Sequence, residues 1–284
     1  AHQSFLVAAV LNSAAGDQAR IIAGEQLPLA SLISIYPGIN LWQPRVTWSQ
    51  EQGRLIGEEV QAHASLIIAK RPLAHLPEET VTEALLDALR QQPRRLFGKK
   101  HQQLLGRMAL LRANLGEQWP DWSEQVLLAT LESWLAPYLI GINRLSEIEA
   151  LPVERYLLDS LSWEQKSQFD QLAPQALKVP SGKVIMLDYV PCLSQCPPVL
   201  AMKLQEAFGW QVTPTVVNGG VAVMIHLLSP ARRPLQVTQD LMSFWQNGYP
   251  EVRKEMRGRY PRHPWPEDPL TATATAHTKR KIDK

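Results

Sequence analysis

The segment from His226 to Asp268 constrains this chain most, because aromatic, proline and arginine residues are denser there than elsewhere in the sequence. A proline disfavours helix for the residue before it, so Ser229-Pro230 and Pro234 predict an extended, basic connector. Thr238 is a candidate N-cap for the helix that follows, and Asn247-Gly248 is a candidate C-terminal stop. The segment therefore predicts a connector and two helices.

The second of these helices, which opens at Pro250, carries a narrow apolar stripe and many cations. Pairing of Glu251 with Lys254 and of Glu255 with Arg259 would leave most of the cations without local partners. Such a pattern is usually a solvated helix face, but unpaired arginines beside aromatic residues also suit a phosphate backbone. The residues predicted to bind nucleic acid are Arg232, Arg233, Arg253, Lys254, Arg257, Arg259 and Arg262, with Trp265 as a stacking platform.

The run HLLSPARRPLQVTQDLMSFWQNGYPEVRKEMRGRYPRHPWPEDP closely resembles the C-terminal signature of the bacterial HrpB family of ATP-dependent RNA helicases, DEAH-related enzymes of superfamily 2. The resemblance continues in VPSGKVIMLDY, PPVLAMKLQEAFG and WPDWSEQVLLATLESWLAPYLIG. It implies that two RecA-like ATPase domains, a winged helix and a helical region precede this part in a parent chain. ATP and magnesium are implied for those domains, and no cofactor is expected here. Since Ala1 is followed almost at once by a strand-like segment, we expect a fragment of a longer protein.

Length and composition indicate a soluble chain of two or three domains. Its 284 residues are 45% hydrophobic, which is enough to bury real cores. The net charge is only +2, so nucleic acid would have to be held by clustered cations. Cys192 and Cys196 are too few for a disulfide framework or a zinc site, and no metal is expected. The longest apolar run is too short to span a bilayer, and the cytoplasm is the expected location.

The hydrophobic periodicity predicts an α+β multidomain fold. Five short strands in residues 1–76, with turns at residues 15–17 and 52–53 and a short helix over residues 29–35, predict a small OB-like β-barrel. Residues 77–177 are predicted to form a helical bundle, with helices over residues 78–91 and 99–115 and a capping box of Ser162 with Gln165. Residues 178–268 predict a C-terminal α+β domain, which includes a helix from Val199 to Phe208 and a hairpin turn at Asn218-Gly219. Residues 269–284 lack a core-forming pattern and are expected to be a disordered, basic tail.

Two further sets of residues are candidates for a secondary nucleic-acid contact. Trp42, Lys70 and Arg71 would provide a stacking and phosphate-contacting face on the barrel, although a tryptophan in a small β domain is at least as often part of the core. Arg94 and Arg95 lie between the first two helices of the bundle, where a solvated loop is the simpler interpretation.

Catalytic motifs are missing from the sequence. VPSGK, residues 179–183, matches only the last residues of the phosphate-binding loop motif. It lacks the preceding glycine of that motif and the helix that follows it. We therefore expect no catalytic residue. Two function classes remain: a non-catalytic region that binds or guides single-stranded nucleic acid, most readily RNA, and docks on the RecA-like domains, or a protein-interaction module with little RNA contact.

Overall fold

The structure is a computed structural model that describes residues 4–13, 19–49, 54–73, 77–142 and 144–278. In chain order its first elements are β1 (Ser4–Ser13), β2 (Ala19–Pro28), α1 (Leu29–Ile35), β3 (Gln43–Ser49), β4 (Arg54–His63), β5 (Leu66–Pro72), α2 (Glu78–Gln91), α3 (Lys99–Leu115), α4 (Glu124–Ala129), α5 (Leu131–Trp134), α6 (Leu145–Glu149), α7 (Val153–Asp159) and α8 (Trp163–Leu172). There follow β6 (Ala176–Lys178), β7 (Val184–Met186), β8 (Val199–Lys203), β9 (Thr215–Val216), β10 (Val221–Ala222), β11 (Met224–Leu228), β12 (Pro234–Thr238), α9 (Leu241–Ser243) and α10 (Tyr249–Arg259). This mixture of helices and strands confirms the α+β class.

The chain divides into two compact units. The first consists of Ala1–Gln91 and Tyr138–Glu149, and the second of Gln92–Pro137 and Ala150–Lys284. The predicted boundaries at residues 76, 177 and 268 remain a prediction. Among the described residues, no helix is both long enough and apolar enough to cross a bilayer.

The first unit contains the five predicted strands, but its described residues do not form a closed barrel. β1 pairs with β2 as an antiparallel hairpin, while β3, β4 and β5 form a separate antiparallel sheet. Closure requires every strand to have two neighbours, and only β4 has two here. The OB-like barrel prediction is wrong in this respect. The predicted turns at residues 15–17 and 52–53 lie outside the described residues.

A small apolar core joins the two sheets of the first unit through α1. Leu32 and Ile39 are buried together with Ile68 of β5, and Phe5 and Leu27 of the hairpin pack against them. The helix that the sequence predicts over residues 29–35 is confirmed. It supplies apolar contacts between the sheets where a barrel would have used hydrogen bonds between strands.

The second unit is built around α3, whose inward face buries Leu104, Met108 and Leu111. Gly106 lies where α3 meets the loop at Tyr189: a Cβ atom at this glycine would lie only 2.0 Å from the carbonyl oxygen of Tyr189. The backbone N–H of Tyr189 donates to Gln103 Oε1 at 2.8 Å. Glycine is therefore required for this close approach of helix and loop.

A mixed sheet in the order β12-β11-β8 supports the C-terminal part of the second unit. β8 runs parallel to β11, and β12 runs antiparallel to it. The predicted helix over residues 199–208 is wrong, because Leu200, Met202 and Leu204 are buried at alternate positions, which is the period of a strand. The hairpin turn at Asn218-Gly219 is confirmed between β9 and β10.

The residues after Asp268 also differ from their prediction. Pro269 is buried, and its carbonyl oxygen accepts a hydrogen bond from the Gly209 N–H at 2.9 Å. The Thr275 N–H donates to the Gln205 carbonyl oxygen at 2.9 Å. Residues 269–278 are therefore held against the body of the second unit and are not a disordered tail. The charged residues of 279–284 lie outside the described residues.

Candidate nucleic-acid interface

The elements that present the predicted cations differ from the connector and paired helices inferred from the sequence. Ser229 to Arg233 form the turn between β11 and β12, in which the Ser229 N–H donates to the Arg233 carbonyl oxygen at 2.8 Å. The helical segment that follows is capped by Asp240, whose carboxylate accepts from the Ser243 N–H. Thr238 instead ends β12, so the predicted N-cap is wrong. The basic connector is thus a tight hairpin.

Asn247-Gly248 does not stop the helix. A π-helical turn over Phe244–Gly248 leads directly into α10. Four aromatic rings pack together at this junction, those of Phe208, Phe244, Trp245 and Tyr249, with centroid separations of 5.0 to 6.5 Å. Burial of this cluster outweighs the local preference of Asn-Gly for a helix end.

Two of the predicted binding residues instead hold the C-terminal segment in place. Arg253 Nε donates to the Trp265 carbonyl oxygen at 3.0 Å, and Arg253 Nη2 donates to Glu267 Oε1 at 3.1 Å. Trp265 is only 7% exposed, and its indole N–H donates to the Tyr260 carbonyl oxygen. Its ring is therefore part of the core, and the prediction of a stacking platform at Trp265 is wrong. Both partners of Arg253 lie beyond α10, 12 and 14 residues further along the chain.

Replacement of Arg253 by alanine is expected to destabilise the protein by about 1 to 2 kcal/mol, because the partly buried carbonyl oxygen of Trp265 loses its charged hydrogen-bond donor. The exposed ion pair with Glu267 adds little. Replacement of its neighbour Lys254, which is exposed, should change stability by less than about 0.5 kcal/mol. Urea unfolding of both variants measures the difference, and equal stabilities would contradict this role for Arg253.

The other predicted cations are exposed on α10, on the turn and just beyond the helix. Within the ranges that the structure describes, no carboxylate lies within 4 Å of their side-chain nitrogens, and the expected pairs of Glu251 with Lys254 and Glu255 with Arg259 do not form. These exposed cations are Arg232, Arg233, Lys254, Arg257, Arg259 and Arg262. Burial lowers the pKa of nearby His263, and Lys203 lowers it further, so this imidazole adds no charge at neutral pH. The surface is cationic through arginine and lysine.

Arg233 and Arg259 come together although they are far apart in the sequence. Both line one surface groove of about 240 Å³ between the β11–β12 turn and α10, together with Tyr260, Ser229 and Glu255. Ser229 Oγ accepts the Arg233 N–H at 3.0 Å, which fixes the backbone that carries Arg233. The Arg259 guanidinium lies 5.9 Å from the centre of the Tyr260 ring. We call Arg233, Arg259 and Tyr260 the arginine groove.

The secondary candidates lie in two separate places. In the first unit, the Arg71 guanidinium stacks over the Trp42 ring at 4.3 Å and also pairs with Glu59 at 2.5 Å, while Lys70 pairs with Glu58. In the second unit, Arg94 and Arg95 occupy the 3₁₀ turn Pro93–Arg95, where Arg95 Nε donates to Gln92 Oε1. Trp42 and Arg71 thus form one cluster. Lys70 is next to Arg71 in β5, so its side chain lies on the opposite face of the strand, and Arg94 and Arg95 belong to the other unit.

The VPSGK segment does not fit a nucleotide phosphate. It is a tight turn closed by the Val179 N–H on the Lys183 carbonyl oxygen, and it leads into strand β7 instead of a helix. Lys183 Nζ lies 3.3 Å from the buried Glu206 carboxylate, so this lysine forms an ion pair within the protein. The described residues also contain no group of three or more His, Cys, Asp or Glu side chains placed to hold a metal ion.

Comparison with known proteins adds to this geometry. Residues 134–269 match the family model HrpB_C, described as ATP-dependent helicase C-terminal. Over 282 residues, 98% of the chain, the sequence is 33% identical to the ATP-dependent RNA helicase HrpB of Escherichia coli strain K12. Residues 134–269 belong to this HrpB C-terminal family. The chain spans 34% of the length of that HrpB relative, and its similarity lies with the C-terminal region of the family.

Two solved HrpB structures share the fold. A crystal structure of the E. coli DExH-box NTPase HrpB superposes with a TM-score of 0.70 at 33% identity, over 96% of this chain and 34% of that one. A crystal structure of the Escherichia coli DEAH/RHA helicase HrpB gives a TM-score of 0.61 at 30% identity, over 92% and 32% of the two chains. The similarity to HrpB therefore extends to both sequence and fold.

Proposed function

We propose that this chain is a non-catalytic accessory region of an HrpB-type ATP-dependent RNA helicase, and that its arginine groove and the neighbouring cations bind single-stranded RNA. ATP and magnesium would be bound by RecA-like domains in the same parent protein, on which this region docks in the cytoplasm. The observation that carries the proposal is the convergence of Arg233 and Arg259, without a carboxylate partner among the described residues, on one groove beside Tyr260.

The chemistry of the groove favours a phosphodiester. A guanidinium presents several N–H donors in a planar fork that matches phosphate oxygens, and two of them from different elements can each contact a phosphate of the same strand. The exposed Arg232, Lys254, Arg257 and Arg262 would add contacts that depend on charge and not on sequence. Binding of this kind guides a strand without selecting its bases.

A protein-interaction module is the second candidate function. It is favoured by Trp163 at the start of α8, which is 84% exposed, since exposed tryptophans are frequent anchors of protein interfaces. A partner docked there would bury apolar surface and would respond little to salt. RNA binding and partner docking can thus be told apart in solution.

The test is the salt dependence of binding to a labelled single-stranded oligoribonucleotide. If the cationic surface neutralises phosphates, the logarithm of the association constant falls linearly with the logarithm of salt concentration, by about 0.7 for each phosphate contacted. A weak or flat dependence would contradict phosphate binding and favour the interaction module. Fluorescence anisotropy over a range of salt concentrations provides the measurement.

A further inference from the structure

Strand β4 of the first unit carries a row of three side chains, one end of which is the cluster of Trp42 and Arg71. Residues at positions i, i+2 and i+4 of a strand share one face, which places Glu59, Gln61 and His63 of β4 side by side. Two of them contact the segment that follows α1: His63 contacts Tyr36, and Gln61 contacts Asn40. Glu59 is linked to Trp42 of that segment only through Arg71 of β5. Trp42 lies at one end of this row and Tyr36 at the other.

Each end of the row is an aromatic stack. The Tyr36 ring stacks on His63, with centroids 4.0 Å apart and an angle of 27° between the planes. At the other end Arg71, which is paired with Glu59, covers the Trp42 ring at 4.3 Å. Tyr36 is 42% and Trp42 36% exposed, so both stacks remain open to solvent. Their rings are held by contacts that already exist, which reduces the entropy lost on binding a ligand.

The middle of the row offers hydrogen-bonding groups. Gln61 Nε2 donates to the Asn40 carbonyl oxygen at 2.8 Å and to Asn40 Oδ1 at 3.2 Å. This arrangement uses the amide donor of Gln61 and fixes both side chains. Gln61 Oε1 and Asn40 Nδ2 then present one acceptor and one donor between the two stacks, a combination that suits the edge of a nucleobase.

The spacing of the stacks favours a single strand over a duplex. Four residues of a β-strand separate the anchor points Glu59 and His63, a distance of about 13 Å. Stacked bases in a duplex are about 3.4 Å apart and have no free faces for side chains. Two stacks at this separation suit two non-adjacent, unstacked bases of one strand. The nearby cations are paired with Glu58 and Glu59, so phosphate contact contributes little at this row.

From these contacts we propose that Tyr36 and Trp42 are two base-stacking platforms for single-stranded nucleic acid, with Asn40 and Gln61 between them contacting base edges. The proposal rests on the proposed function only in sharing its ligand class. It concerns different residues and a different interaction, since the arginine groove would contact phosphates and the platforms would contact bases.

The experiment compares wild-type binding of a labelled oligoadenylate with binding of an abasic phosphodiester chain of equal length. The wild-type protein should bind the oligoadenylate more tightly. Tyr36→Ala and Trp42→Ala should each weaken oligoadenylate binding by about fivefold to a hundredfold, leave abasic binding unchanged and leave the salt slope unchanged. Tyr36→Phe and Trp42→Phe keep a ring and should retain most of the affinity. Trp163→Ala, which removes an exposed tryptophan from the second unit, is the control.

The outcomes separate this proposal from the proposed function. Equal affinity of the wild-type protein for the two probes, or no binding of either, would by itself contradict the proposal that Tyr36 and Trp42 stack on bases. Alanine variants that weaken binding of both probes equally would do the same. Loss of the preference for oligoadenylate in the alanine variants would support the platforms. If replacement of Arg233 and Arg259 left the salt slope unchanged in the same assay, the arginine groove would be contradicted while the platforms would stand.

Discussion

Replacement of Gly106 by alanine is expected to destabilise the protein by about 3 kcal/mol or more, one of the largest effects available to a single methyl group. The new Cβ would lie 2.0 Å from the carbonyl oxygen of Tyr189 and 2.7 Å from its carbonyl carbon. Both atoms belong to the backbone, so no side-chain rotation can relieve the clash. Either α3 or the loop at Tyr189 has to move.

That loop is held from both sides, which is why movement is costly. The Tyr189 N–H donates to Gln103 Oε1 at 2.8 Å, and the Tyr189 hydroxyl donates to the Pro174 carbonyl oxygen at 2.7 Å. Tyr189 is buried, and burial raises the pKa of its phenol, so the hydroxyl remains a neutral donor. A shift large enough to admit a methyl group would break these hydrogen bonds.

Gly258→Ala is the matched control. Gly258 lies in α10, is exposed and has no heavy atom within 4 Å of the position its Cβ would take. Alanine favours a helix interior over glycine by about 0.8 to 1 kcal/mol, so this variant should be slightly more stable than the wild type. Urea unfolding of both variants compares the same chemical change in two helices. A Gly106→Ala protein as stable as the wild type would contradict the close packing of α3 on Tyr189.

Local patterns were sufficient to predict many of the elements. The helices over residues 78–91 and 99–115 appear as predicted, as does the capping box of Ser162 with Gln165. These features depend on residues three or four positions apart, whose effect the sequence shows directly. The helix predicted over residues 199–208 is wrong because an apolar run next to a proline-rich loop fits either period until its neighbouring strand β11 is known.

The candidate sites show a similar limit. The abundance of cations between Arg232 and Arg262 was visible in the sequence, but their roles were not. Arg253 and Trp265 hold each other in contacts that depend on how the chain returns after α10. The meeting of Arg233 with Arg259 depends on the turn at Ser229. Long-range contacts of this kind leave no periodic signal, and a description of local propensity misses them.

The double variant Arg233→Ala/Arg259→Ala is expected to bind single-stranded RNA much more weakly than the wild type at low salt. If each arginine neutralises one phosphate, the salt slope should flatten by about 1.4, which is 0.7 for each lost contact. The loss should be similar for all base sequences, since phosphates carry no sequence information. Both side chains are exposed without a carboxylate partner among the described residues, so the unfolding transition should barely change.

A control has to remove the same charge elsewhere in the same unit. Arg155→Ala/Lys178→Ala does so, because Arg155 on α7 has a side chain that is 80% exposed and Lys178 at the end of β6 is also exposed. If affinity depended only on net charge, this control and the groove variant would weaken binding equally. If the groove binds phosphate, the control should keep a slope close to that of the wild type.

The salt slope of single-stranded RNA binding, measured by anisotropy for the wild type, the groove variant and the charge control, tests the central claim most directly. The arginine groove predicts a slope about 1.4 shallower in the Arg233→Ala/Arg259→Ala protein, with little change in the control. Identical slopes in all three proteins would contradict phosphate binding at the groove.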